Sequence, residues 1–381
     1  MTQHSHATPT APHARIDSID LLRGLIILVM ALDHVRDFFG DLNARPTDLA
    51  TTSAALFFTR WITHFCAPVF FLLTGTGAGL RLGGRPKREL GRFLVSRGLW
   101  LIFLEVVVMR FALQFNLDYH VTVITVLWAL GWSMIVLAGL IWLPLWAIAA
   151  FSVILVAGHN ALDGVAPERL GALRPLWLVL HQPGIVFNDG RSVVLIAYVL
   201  IPWIGVTALG YVLGVVYRWE ARPRRAFLLR LGLGIVAGFV ALRFSNFYGD
   251  PAPWVTQKDP PWTLLSFINT TKYPPSLLFL MMTLGPALLL LRVFDGGVPG
   301  GLRPALLIGR VPLFFYVLHF FLIHLLAVGW SYLHYGEASG LFRSPDLGHF
   351  PFSAPAGWDV GLPAIYAVWV TVLLAMYPLC R

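Results

Sequence analysis

Long apolar stretches separated by short polar or basic segments dominate the chain. Ten of them, near 18–40, 54–80, 93–115, 121–142, 144–161, 193–217, 226–244, 273–294, 304–332 and 361–380, approach or exceed the roughly 20 residues that cross a bilayer as a helix. The pattern predicts an all-α fold: a polytopic integral membrane helix bundle of about ten transmembrane helices. Little more than Leu143-Pro144 joins the fourth and fifth stretches, so one kinked or re-entrant element is the alternative there. The polar segment 1–14, rich in His, Thr and Pro, reads as a disordered cytoplasmic tail with no cleavable signal peptide. Residues 15–381 then form one membrane domain.

Composition removes the main competitor. Of 381 residues 57% are hydrophobic and only 12% charged, against about 25% charged in a soluble domain. The net charge of +9 does not indicate nucleic acid, because the basic residues fall in short clusters between apolar runs. Arg81, Arg85, Lys87, Arg88 and Arg92 follow the second stretch, and Arg218, Arg222, Arg224 and Arg225 follow the sixth. An excess of Lys and Arg marks cytoplasmic loops, and with ten spans these clusters share one side with Arg15, Arg292, Arg303 and Arg381. Both termini are therefore expected in the cytoplasm. The opposite loops, 41–53, 116–120, 162–192, 245–272 and 333–360, are less basic, and the three long ones are expected to cap an external cavity.

Candidate chemistry begins in the first stretch, where ionisable residues sit at membrane depth and so point to a ligand or ion path. Arg23 and His34 are eleven positions apart, which places them within roughly 20° of one helix face and about 16 Å apart along the axis. Asp20 precedes Arg23 by three residues and Asp37 follows His34 by three, positions from which each can pair with or orient its neighbour. A plainer reading makes Arg23 and Asp20, and Asp33 to Asp37, the polar ends of a helix. The second stretch weighs against it, since Arg60 and His64 recur there four apart on one face. Glu105 reads as a structural partner for an arginine. Tyr316 and His319 share a face of the ninth stretch, with His324 pointing elsewhere, and Asn269, Lys272 and Tyr273 cluster before the eighth. Lys272 is placed to hold an anionic acceptor or to pair with an acidic residue. The two cysteines, Cys66 and Cys380, suggest neither a disulfide nor a metal ligand, and the twelve histidines show no zinc-site spacing, so no metal is expected. Gly75-Thr-Gly-Ala-Gly79 reads as small-residue helix packing.

These residues carry a resemblance. Arg23 and His34 match the arginine, ten residues, histidine pattern in the first helix of the acyltransferase-3 family of membrane acyltransferases. Four longer stretches, Ser18 to His34, Phe65 to Gly75, Lys272 to Pro286 and Gly309 to His319, more closely resemble bacterial members of the heparan-α-glucosaminide N-acetyltransferase catalytic-domain family. The resemblance implies a multi-pass protein of the bacterial inner (plasma) membrane that moves an acetyl or other acyl group from cytoplasmic acetyl-CoA to a carbohydrate acceptor at the outer face. It implies His34 as base and Arg23 as a group that holds a donor phosphate or polarises the thioester, with Asp37 and His64 also in the catalytic set and His64 the rival base. Arg60, Asn269, Lys272, Tyr316 and His319 are the expected substrate-binding residues. One departure is clear: the eukaryotic enzyme that names the family has asparagine where this spacing puts His34, and its catalytic histidine follows in the next loop, whereas loop 41–53 here has none. The alternative from another class is a transporter or proton-coupled permease. The sequence expects the lipid bilayer, acyl-CoA and a glycan as partners, no nucleic acid, and leaves a homo-oligomer open.

Overall fold

The computed structural model describes residues 15–84, 86–344 and 351–381. Tail 1–14, Arg85 of the basic cluster after the second stretch, and 345–350 of the loop 333–360 lie outside the described residues. Among the described residues thirteen α-helices carry the fold: α1 (Asp17–Phe39), α2 (Ala54–Arg81), α3 (Lys87–Phe103), α4 (Val126–Leu140), α5 (Leu145–Gly158), α6 (Arg174–Leu180), α7 (Leu200–Val216), α8 (Ala221–Ser245), α9 (Pro260–Ile268), α10 (Leu277–Phe294), α11 (Arg303–Gly309), α12 (Pro312–Tyr335) and α13 (Gly361–Leu379). Among the described residues six helices are long and apolar enough to cross a membrane, α2, α5 with its continuation to Leu162, α8, α10, α12 and α13, and α4 and α7 are shorter apolar helices. Helix α1 carries Asp17, Asp20, Arg23, Asp33, Arg36 and Asp37 in its 23 residues.

Three predicted spans take a different form. Residues 121–124 and 193–196 are strands rather than helix starts: β1 (Val121–Ile124) pairs parallel with β3 (Val193–Ile196), which pairs antiparallel with β2 (Gly184–Asn188). The helical bundle thus includes a small three-stranded sheet, in the order β1-β3-β2. Both misread segments are rich in β-branched residues, Val-Thr-Val-Ile and Val-Val-Leu-Ile, which pack well on a pleated surface. The predicted span 304–332 is two helices, because Pro312 cannot continue α11 and instead starts α12 within its first turn. At the other extreme, α3 begins at Lys87 and continues through a π-helical segment, Leu104–Met109, to Gln114.

Helix α1 is the central element, packed against α2, α10, α11, α12 and α13. Its contact with α11 brings backbones together: a Cβ on Gly24 would stand 1.8 Å from the Ala305 carbonyl oxygen, so only glycine fits. The Gly75–Gly79 segment does the same against α7, where a Cβ on Gly75 would meet the Thr207 carbonyl oxygen at 1.8 Å. Within α2 the chain tightens to a 3-10 turn at Thr63–Phe65. Pro68 accounts for it, because its ring has no N–H and crowds the carbonyl four residues earlier, that of His64.

Candidate functional site

The end of α1 that carries His34 opens on a cavity of about 300 Å³. Asp33, His34 and Asp37 come from α1, Arg60 from α2, Lys272 and Tyr273 from the loop before α10, and Tyr316 and Phe320 from α12. The sheet supplies the opposite wall: Val123 lies in β1, Thr125 and Val126 follow it, and Ala197 and Tyr198 follow β3. Thr125 and Tyr198 are not legible in the sequence because the hydropathy of 121–142 and 193–217 hides two strand-to-helix junctions; the β-branched runs are the signal that marks them.

Behind His34 stands His319. His34 Nδ1 and His319 Nε2 are 2.7 Å apart, and His319 Nδ1 is 2.9 Å from the Phe315 carbonyl oxygen. A carbonyl only accepts, so His319 Nδ1 carries a proton; in the neutral ring its Nε2 is then the acceptor. His34 Nδ1 must donate to it. The relay fixes the tautomer of His34 and leaves the lone pair on its Nε2, the nitrogen that a base or nucleophile needs. Phe320 covers one side of the His34 ring at 4.2 Å between centroids, and Tyr316 meets it edge-on at 6.1 Å. His319 itself is fully buried. Its place is therefore behind His34, outside the cavity lining.

The other charged groups divide into those already satisfied and those left over. Asp33, buried, accepts from Arg36 Nη2 at 2.9 Å and from Arg60 Nη1. Asp37 was expected to orient His34, but it accepts from Arg36 Nη2 at 2.6 Å. The adjacent guanidinium offers a charge-assisted bond, while the His34 Nδ1 proton points away to α12. Arg36 also lines a polar vestibule of about 640 Å³ with Asp41, Arg45, Asp48 and Asp359, so the Arg36–Asp37 pair stands between vestibule and cavity. Glu105 pairs with no arginine among the described residues. Its carboxylate accepts from the Thr125 N–H at 2.6 Å, from the Thr125 hydroxyl and from the Leu127 N–H at 3.2 Å, capping the start of α4.

The structure does not bring Arg23 to this cavity. Arg23 Nη1 is held by Asp20 Oδ1 at 2.6 Å and by the Gly309 carbonyl at 3.1 Å, at the far end of α1. His64 is separate too: it is 2% exposed, packs edge-on to Phe279 and lines a neighbouring cavity with Asn269. Both nitrogens of His324 face carbonyl oxygens, Ala112 and Leu341 at 2.9 Å each, which leaves neither for substrate. Of the expected residues, then, His34, Asp37, Arg60, Lys272 and Tyr316 line one cavity, with His319 supporting it.

Against known families, the catalytic region of heparan-α-glucosaminide N-acetyltransferase matches residues 15–239 of this chain. The chain belongs to that family. The matched segment holds His34, Arg60, His64, Thr125 and Tyr198 and ends before Lys272, Tyr316 and His319. No curated protein matches the chain. Membership of this N-acetyltransferase family, together with six apolar helices of spanning length among the described residues, makes it a membrane acyltransferase.

Proposed function

We propose that this protein transfers an acetyl group from cytoplasmic acetyl-CoA to an amino or hydroxyl group of a sugar acceptor at the outer face of a plasma membrane, with His34 at the reacting centre. The hydrogen-bond relay from the Phe315 carbonyl through His319 to His34 Nδ1 carries the reading, because it has the form of an activated base with its orienting partner. In the proposed step the acceptor nitrogen or oxygen attacks the thioester carbonyl while His34 Nε2 takes its proton. The C–S bond breaks, and the imidazolium returns that proton to the leaving thiolate. Tyr198 and Tyr316 line the same cavity with their hydroxyls already engaged, by Tyr273 and by Thr125.

Topology supports the direction of transfer. In this reading the basic clusters favour the cytoplasm for the Arg23 end of α1 and the outside for the His34 end, where the polar vestibule gives an acceptor its approach. About 16 Å separates Arg23 from His34 along the helix, too far for Arg23 to polarise the reacting carbonyl. Its remaining role is to attract the phosphates of the donor at the inner end. Family membership favours an enzyme over a transporter. The test is transfer of label from radiolabelled acetyl-CoA to glucosamine by the full chain in nanodiscs. Transfer that disappears in His34→Ala supports the reading; a protein that neither binds CoA nor labels any amino sugar sinks it.

A further inference from the structure

Beside the cavity of His34 lies a second one of about 370 Å³, lined by Arg60, His64, Asn269, Thr271, Lys272 and Tyr273 among others. Arg60, Lys272 and Tyr273 line both and form the wall between them. No carboxylate lines the second cavity among the described residues. The charges in this region do not cancel internally. Asp33 is taken by Arg36 and Arg60, and Asp37 by Arg36. Lys272 makes no ion pair with any described residue, and its Nζ lies 5.3 Å from the Tyr273 ring centroid.

The loop that carries Lys272 is held in place without using that charge. Asp250 accepts from the Thr271 N–H at 2.9 Å, the Thr271 hydroxyl at 2.8 Å and the Ser276 hydroxyl at 2.7 Å. Buried Arg243 donates to the carbonyls of Ala252, Ser266, Phe267 and Asn269 and stands 3.9 Å from Asp250. Asn269 Nδ2 ties the same loop to the Thr47 carbonyl at 2.8 Å. A rigid mount thus presents an ammonium without an ion pair to the second cavity, beside a guanidinium, while the carboxylates that act on it, Asp33 and Asp37, line the first cavity and are held by Arg36 and Arg60. An ionisable group kept unpaired at such a place is a functional feature rather than a structural one.

We propose that the second cavity is an oxyanion subsite, binding a carboxylate, sulfate or phosphate group chiefly through Lys272, with Arg60 adding positive potential from the shared wall. Resting on the acetyl-transfer reading, the shared wall makes that anion a substituent of the acceptor, seated here while its reacting group faces His34. A free oxyanion has the same chemistry and is the other source.

Binding of glucuronic acid, glucose and inorganic sulfate to the full chain in nanodiscs, without acetyl-CoA, tests the subsite. Glucuronate is expected to bind about tenfold more tightly than glucose, with sulfate competing. Lys272→Gln abolishes that preference and Lys272→Arg keeps it, at an unchanged melting temperature. Sulfate bound in a Lys272-dependent way, with glucuronate no better than glucose, supports the subsite and assigns it to a free oxyanion. Anion binding that is absent, or that survives Lys272→Gln, overturns it. The two proposals fail separately: Lys272-dependent binding without acetyl transfer removes only the enzyme, and transfer without such binding removes only the subsite.

Discussion

The two ends of α1 use ionisable residues in opposite ways. At the N-terminal end Arg23 closes a short circuit with Asp20 and the Gly309 carbonyl, directly beside the glycine contact between α1 and α11. At the other end Asp33, Arg36, Asp37 and Arg60 also neutralise one another, yet His34 Nε2 and the Lys272 ammonium are left over and both face open volume. Charge at membrane depth is therefore a weak guide by itself. What separates a group able to act on a reacting carbonyl from one that is not is the hydrogen-bonding capacity that remains after the protein has satisfied itself; Arg23, with Nη1 spent on Asp20 and Gly309, has only its positive charge to offer the phosphates of the proposed donor.

That contrast breaks most visibly at His34. Replacing it with alanine should lower the rate of acetyl transfer by about 10²–10⁴-fold, the usual contribution of a positioned base, with the melting temperature little changed. Asp33→Leu should act on folding instead. It strands Arg36 and Arg60 in a buried setting, at a cost of about 3 kcal/mol in stability, read from the thermal unfolding of the solubilised protein. His319→Leu should cost about 10–100-fold in rate by freeing the His34 tautomer, and His319→Gln, whose amide oxygen can accept from Nδ1, should recover part of it. Recovery by glutamine is the sign of an orienting role, which a cavity left by any truncation would not give. Arg23→Ala should raise the KM for acetyl-CoA about three- to tenfold and leave turnover near the parent value, a measurement that locates Arg23 on the donor side. The smallest effect belongs to His324→Gln: less than about a twofold change in rate, because both of its nitrogens already face carbonyls.

Hydropathy made most of the bundle legible, since residues solvated by lipid need a long apolar run and little else. It fails where apolar does not mean helical. Val121–Ile124 and Val193–Ile196 are as hydrophobic as the helices they precede, but they pair with each other through backbone bonds across a chain separation no local pattern reveals. The same limit applies to the site. The placement of Arg23 and His34 on one face follows from helical spacing, whereas the partner of His34 does not: His319 is 285 residues away, and only packing of α12 on α1 brings the rings together. Asp37 shows the converse error. A spacing of three made it available to His34, and a guanidinium next to it in the chain took it first. Arg60 and Lys272 were readable as substrate-side cations, but not that they stand in a wall shared by two cavities.

The central claim is that the free lone pair of the His34–His319 relay does the chemistry, and chemical rescue tests it most directly. Acetyl transfer to glucosamine is measured for His34→Gly and His64→Gly in nanodiscs, with and without added imidazole. The account expects His34→Gly to be nearly silent and to regain activity with imidazole, which refills the space in front of His319, while His64→Gly keeps most of its rate. A His34→Gly protein that transfers at the parent rate, or a His64→Gly protein that is silent and rescued in its place, would contradict it.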